Sequence, residues 1–148
     1  MAITLPNDFN EFLRLLNEHQ VEYLLVGGFA VSYHGYPRAT DDIDVLVRRS
    51  QQNAERIVLA LREFGFDTPN LSASLFLDKN KIVRMGNPPL RIELLTSIDG
   101  VEFASCAANQ IVADFDGTPV PVISLDDLKT NKRSSGRHRD LDDLEHLP

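Results

Sequence analysis

Asp42-Ile43-Asp44 sets two carboxylates two residues apart inside an apolar run. If that run is a strand, side chains at i and i+2 share a face, so Asp42 and Asp44 stand together while Ile43 and Val45 enter the core. Aspartate is a poor strand former, and two aspartates on one face repel each other. A bound cation removes that repulsion. Hard carboxylate oxygens suit Mg²⁺, which is commonly held by one or two carboxylates together with substrate phosphates. Taken alone, an Asp-x-Asp pair is also a common solvated surface feature.

Two more groups bear on the same chemistry. Val26-Gly27-Gly28 closes one apolar run and opens a helical one. Glycines there let backbone N–H groups approach a phosphate, and a helix start favours negative charge. A tight strand-to-helix turn would use glycine equally well. In Arg91-Ile92-Glu93-Leu94-Leu95, Glu93 sits in the middle of an apolar strand pattern. A carboxylate in such a run usually faces solvent from a half-buried strand. On a strand beside that of Asp42 it would join the cluster, as a metal ligand or as a general base. Asp114 and Asp116 are weaker candidates for the third carboxylate.

The elements that must position these residues alternate between helix and strand. Asn7 or Asp8 can cap a helix whose Phe9, Phe12, Leu13 and Leu16 fall on one face. Residues 23–26 read as a buried strand, 29–33 as a short helix, and Gly35, Tyr36 and Pro37 as a break. Residues 43–47 form the second strand. Ser50 caps a longer helix striped by Ile57, Val58, Leu61 and Phe64 and stopped by Gly65. Residues 82–85 and 90–95 flank Gly86-Asn87-Pro88-Pro89 as a hairpin; 111–115 and 120–123 flank Asp116-Gly117 as another. Ser124 with Asp127 marks the start of a last helical region. The pattern predicts one domain over 1–148, α/β or α+β, with a mixed sheet and flanking helices.

In this order the motifs resemble the nucleotidyltransferase superfamily that includes DNA polymerase β. That pattern is an apolar residue, Gly, then Gly or Ser, a short helix, Asp-x-Asp or Asp-x-Glu, and a later acidic residue on another strand. Val26-Gly27-Gly28, Asp42-Ile43-Asp44 and Glu93 stand in those places. The superfamily more often has Asp in the third place. The stretch 24–47 is especially similar to the minimal nucleotidyltransferases of toxin–antitoxin and phage-defence loci, through Gly27, Gly28, Ala30, His34, Gly35, Arg38, Thr40, Asp42 and Asp44. The C-terminal stretch resembles their Lys-x-x-x-x-Gly-Arg-x-x-Asp-x-x-Asp ending, through Lys132, Gly136, Arg137, Asp140 and Asp143.

The resemblance implies a polymerase β-like fold and transfer of a nucleoside monophosphate from a nucleoside triphosphate, ATP first, to a hydroxyl of a protein, an RNA or a small molecule. Asp42, Asp44 and Glu93 would hold two Mg²⁺ (or Mn²⁺) ions between protein and triphosphate. Gly27 and Gly28 would meet the phosphates through backbone N–H groups, with Thr40 in the same motif. Arg38, Lys132, Arg137 and Arg139 are candidates to contact phosphates, since guanidinium matches phosphate in two-point geometry. Arg38 could equally be a structural partner of Asp41. A cognate toxin or antitoxin protein is an expected partner in that setting. Two other readings stay open: an antitoxin-type binding module with an unused site, and a metal-dependent phosphohydrolase. A pure binder has no need of the carboxylates, and a hydrolase has no obvious use for the Gly-Gly turn.

Composition narrows the class. A formal net charge of −7 argues against bulk attraction to nucleic acid. The basic cluster Lys129, Lys132, Arg133, Arg137 and Arg139, followed by Asp140, Asp142, Asp143 and Glu145, reads by default as a solvated helical segment with local ion pairs. The single cysteine, Cys106, excludes an internal disulfide and suits a small buried apolar position. His34 is expected to hydrogen-bond a backbone carbonyl, and the four histidines have no metal-ligand spacing. Without an apolar run of membrane-spanning length or a basic start, the chain is expected to be soluble and cytoplasmic.

Overall fold

A computed structural model describes residues 6–87 and 91–148. Residues 1–5, the expected turn residues Pro88 and Pro89, and Leu90 at the expected start of a hairpin strand lie outside them. Six strands form one mixed sheet in the order β3-β4-β2-β1-β6-β5. The strands are β1 (Tyr23–Val26), β2 (Asp42–Val47), β3 (Ile82–Met85), β4 (Arg91–Leu95), β5 (Ile111–Phe115) and β6 (Thr118–Val122). The helices are α1 (Asn7–Glu18), α2 (Gly27–Tyr33), α3 (Gln51–Phe64), α4 (Phe103–Ala108), α5 (Leu125–Ser135) and α6 (His138–His146). The expected mixed sheet with flanking helices is what the chain forms.

Alternation along β2 decides which face is which. Ile43, Val45 and Val47 are fully buried, and on β4 Ile92 and Leu94 are buried beside them. Behind this face α1 and α3 pack against each other, α1 through Phe9, Phe12, Leu13 and Leu16. The opposite face carries Asp42 and Asp44 on β2 and Arg91 and Glu93 on β4. Burial of the first face therefore fixes the direction of the second, because a slip of one residue would turn every carboxylate into the core.

Local signals set most boundaries. The Ser50 side chain accepts from Asn53 N–H, and Gly65 ends α3 in the left-handed region at φ 112°. Ser124 accepts from Asp127 N–H at the start of α5. Asp116 and Gly117, at φ 52° and 90°, make the tight β5–β6 turn. Three expectations shift. Helix α1 starts at Asn7 with Pro6 in the capping position and no side-chain cap, so neither Asn7 nor Asp8 plays that part. Helix α2 begins at Gly27 rather than Phe29, which takes both glycines into its first turn. The last helical region is two helices, split at Gly136 at φ 64°. Helix α4 and a 3₁₀ turn at Ala73–Phe76 were not anticipated; each is too short to show a helical period in the sequence. Cys106 is buried on α4. Among the described residues, no helix is long and apolar enough to cross a membrane.

Candidate active site

The parallel pairing of β2 with β4 sets Asp44 opposite Glu93 and Asp42 opposite Arg91. Antiparallel pairing of β1 with β2 brings Val26, the residue before Gly27, opposite Asp44. The three carboxylates and the Gly-Gly turn thus converge because two ladders share β2. They form the floor of a cleft of about 550 Å³ whose walls include Thr40, Arg38, Lys132, Arg137 and Arg139.

Gly27 answers a steric need at this floor. It sits at φ 68°, and a Cβ there would lie 2.8 Å from both Cβ and Cγ of Asp44. The Asp44 carboxylate occupies the space a side chain would take. A Cβ on Gly28 would lie 2.8 Å from the Thr40 hydroxyl oxygen, and that hydroxyl donates to the Asp42 carbonyl at 3.2 Å. The glycines therefore let β2 and its acidic pair approach α2 closely. The tight strand-to-helix turn expected of these glycines is present here.

The outer carboxylates have cations beside them and the middle one has not. Arg91 Nη2 donates to Asp42 Oδ2 at 3.1 Å, and Arg84 Nε donates to Glu93 Oε1 at 2.9 Å. Asp44 Oδ1 is buried without a hydrogen-bond partner. Burial, then a hydrogen bond and charge from Glu93, then the charge of Asp42, push the Asp44 carboxyl up to about 7; Lys132 pulls the other way. Such crowding of hard oxygens, with one oxygen orphaned, fits a divalent cation. Among the described residues no three such side chains stand in ready metal-binding geometry; Asp42 and Glu93, though they line the same floor, are each engaged by an arginine.

Helices α5 and α6 close the cleft with a buried ion network. Lys132 is only 5% exposed, and its Nζ lies 3.2 Å from Asp140 Oδ1 and 3.0 Å from Asp143 Oδ2. Arg38 grips Asp143 in two-point fashion, Nε to Oδ1 at 2.9 Å and Nη2 to Oδ2 at 3.2 Å. The structural partner of Arg38 is therefore Asp143, not Asp41. Arg137 Nε donates to Asp140 Oδ2 at 2.8 Å. The expectation of a solvated helix face fails for Lys132, because α6 folds back over α5 and brings two acidic residues onto the ammonium. Asn131 Nδ2 donates to the Asp99 carbonyl at 2.9 Å and Ser135 to the Asp99 carboxylate at 3.3 Å, which ties α5 to the segment after β4.

The remaining candidates lie elsewhere. Strand β5 is at the sheet edge, separated from β2 by β6 and β1. Asp114 there accepts from Gly117 N–H at 2.7 Å in its own turn, so neither it nor Asp116 in the turn replaces Glu93. His34 Nε2 lies 2.7 Å from the Ile123 carbonyl, the structural contact expected of it. Arg84 and Arg91 were missed in the sequence. The available signal was register: Arg91 precedes Glu93 by two, the period that puts both on one strand face.

Comparison with known proteins decides the family. The aminoglycoside-2″-adenylyltransferase family model matches residues 8–147.

The chain belongs to the aminoglycoside-2″-adenylyltransferase family.

This nucleotidyltransferase has the fold of other solved members of the class. A candidate nucleotidyltransferase from Thermotoga maritima superposes with a TM-score of 0.61 at 15% identity, over 93% of this chain and 88% of that one. ANT(2″)-Ia, solved in complex with adenylyl-2″-tobramycin, superposes with a TM-score of 0.55 at 13% identity, over 93% and 83%. An antigenic nucleotidyltransferase-like protein from Paracoccidioides brasiliensis gives 0.53 at 16%, over 96% and 76%. No curated protein matches the sequence. As a nucleotidyltransferase the protein takes a nucleoside triphosphate.

Proposed function

We propose that the protein transfers a nucleoside monophosphate from a triphosphate, ATP first, to a hydroxyl held over Asp42, Asp44 and Glu93. The observation that carries this reading is the register of Asp44 with Glu93, beside Asp42 and under the Gly27-Gly28 turn. Asp42, Asp44 and Glu93 would hold Mg²⁺ or Mn²⁺, which lowers the pKa of the acceptor hydroxyl and neutralises the leaving pyrophosphate. The chain's own groups position and screen. Gly27 and Gly28 leave backbone N–H groups on the floor. Arg38 and Lys132, both paired with Asp143 and both lining the cleft, would add positive charge that favours phosphate. Arg137 and Arg139, both exposed, flank the opening. Glu93 opposite Asp44 is placed to share the cation or to take a proton from the acceptor.

The acceptor follows from two lines of support. Membership of an aminoglycoside adenylyltransferase family supports a small polyhydroxylated acceptor. The match of residues 24–47 to minimal nucleotidyltransferases of toxin–antitoxin loci supports a protein or RNA hydroxyl. The family match favours the small molecule.

The test is thermal. Mg²⁺ with ATP should stabilise the wild type, and Asp42→Ala with Asp44→Ala should lose that stabilisation. A ligand at one hundred times its dissociation constant contributes about 2.7 kcal/mol, well within reach of a melt. Equal metal-dependent shifts in both proteins would refute the site.

A further inference from the structure

Arg84 and Arg91 stand against the two outer carboxylates in a way unlike the other ion pairs of the cleft. Arg84 enters from β3, opposite Glu93 in the antiparallel ladder, and reaches Glu93 Oε1 through Nε. Arg91 reaches Asp42 Oδ2 through Nη2, with its Nε 3.8 Å from Glu93 Oε1. Each makes one hydrogen bond to its carboxylate, and the Arg84 side chain is 58% exposed. Arg38, by contrast, holds Asp143 at two points against a carboxylate that is fully buried. Exposed single-point pairs contribute little and exchange readily, whereas a buried two-point pair does not. The outer carboxylates are thus each held by a single hydrogen bond, from an exposed Arg84 and a half-buried Arg91, and the inner one, Asp44, has an oxygen with no partner at all. Of the two arginines only Arg84 lines the cleft.

We propose that Arg84 and Arg91 are exchangeable placeholder cations: they neutralise Glu93 and Asp42 in the ion-free protein, yield those carboxylates to a divalent cation, and Arg84, once released, pairs with the triphosphate in the cleft. This rests on the nucleotidyl-transfer reading above. Its physical basis is competition. A guanidinium at a carboxylate oxygen occupies one of its lone pairs and repels an incoming cation, so the carboxylate–arginine pair competes with the cation and loosens as it is bound. A guanidinium freed beside a triphosphate finds a better partner there, because its fork matches phosphate oxygens. The two arginines then differ in a testable way: Arg91 acts on the cation alone, and Arg84 on both cation and triphosphate. A general effect of removing positive charge would move both ligands in both variants.

The experiment titrates the full chain with Mn²⁺ alone, and separately with ATP at saturating Mg²⁺, in wild type, Arg84→Gln and Arg91→Gln. Melting temperatures check that the two substitutions leave the fold intact, and Arg91→Gln provides an independent metal test should Arg84→Gln misfold. Mn²⁺ should bind several-fold more tightly to both variants. ATP should bind about tenfold more weakly to Arg84→Gln, the scale of one lost charge-assisted hydrogen bond, and within about twofold of wild type to Arg91→Gln. Unchanged Mn²⁺ affinity in both variants, or an equal loss of ATP affinity in both, would overturn the placeholder role. A wild type that binds neither Mn²⁺ nor ATP would overturn the nucleotidyl-transfer reading and the placeholder role with it.

Discussion

Asp44 and Glu93 face each other across the parallel ladder of β2 and β4, in register and on the same face of the sheet. Burial first, then the neighbouring Glu93, raise the Asp44 carboxyl to about 7 at the place where the sheet sets these acidic side chains opposite each other. Arg84 and Arg91 relieve the neighbours on either side, but Asp44 Oδ1 is left without a partner.

The first prediction concerns the stability of that arrangement. Asp44 has its folded pKa raised to about 7, above the unfolded value. A carboxyl so raised favours the fold at low pH and loses that favour as pH rises through about 7. At pH 8 in EDTA the wild type should bear the full cost, and Asp44→Asn should not, since its amide can donate to Glu93. The variant should be more stable by about 1 kcal/mol in urea unfolding. A variant less stable than wild type under those conditions would contradict the crowding of Asp44.

Gly27→Ala meets both a positive φ and the Asp44 carboxylate. Left-handed backbone and displacement of Asp44 should together cost roughly 1–3 kcal/mol. Stabilisation by Mg²⁺ with ATP should fall with it, as the floor of the cleft is disturbed. Urea unfolding and a ligand melt check both. Wild-type behaviour in each would mean that the close approach of α2 to β2 is not needed.

Lys132 lies buried between Asp140 and Asp143. Lys132→Ala removes the ammonium and leaves two buried carboxylates to Arg38 and Arg137. Breaking a buried pair from one side costs about 3–5 kcal/mol, so the variant should unfold at far lower denaturant. A loss under 1 kcal/mol would place Lys132 on a solvated face after all.

Asp140 carries the pH dependence of the same network. Burial alone would raise its carboxyl, but hydrogen bonds from Arg137 and Lys132 outweigh that and hold it below the usual carboxylate range. A depressed folded pKa contributes stability above the unfolded value of about 4 and loses it as pH falls through the folded value. The stability difference between wild type and Asp140→Asn should therefore be full at pH 7 and shrink as the solution is acidified below about pH 4. A difference that does not change with acidification would remove Asp140 from the charged network.

Much of this site was legible in the sequence because strand periodicity and order are local signals. Asp42 and Asp44 could be placed on one face from alternation alone, and the Ser50 cap and the Asp116-Gly117 turn set element ends without tertiary help. The partners of Arg38 and Lys132 could not be read this way. They depend on α6 folding back at Gly136, which brings Asp143 to Arg38 across 105 positions of sequence. The arginine contacts to Asp42 and Glu93 depend on strand pairing, which periodicity does not specify. Short elements such as α4 carry too few residues for a period to show.

The most direct measurement supplies the purified protein with Mg²⁺ and ATP labelled at the α-phosphate, together with small polyhydroxylated acceptors, total RNA and cell lysate. Nucleotidyl transfer should pass the α-label to an acceptor and release pyrophosphate. Asp44→Asn should abolish it, since a lost cation ligand costs several kcal/mol of transition-state stabilisation and about 1.4 kcal/mol is already tenfold in rate. Transfer of label from the γ-phosphate alone, or α-label transfer undiminished in Asp44→Asn, would contradict nucleotidyl transfer at Asp42, Asp44 and Glu93.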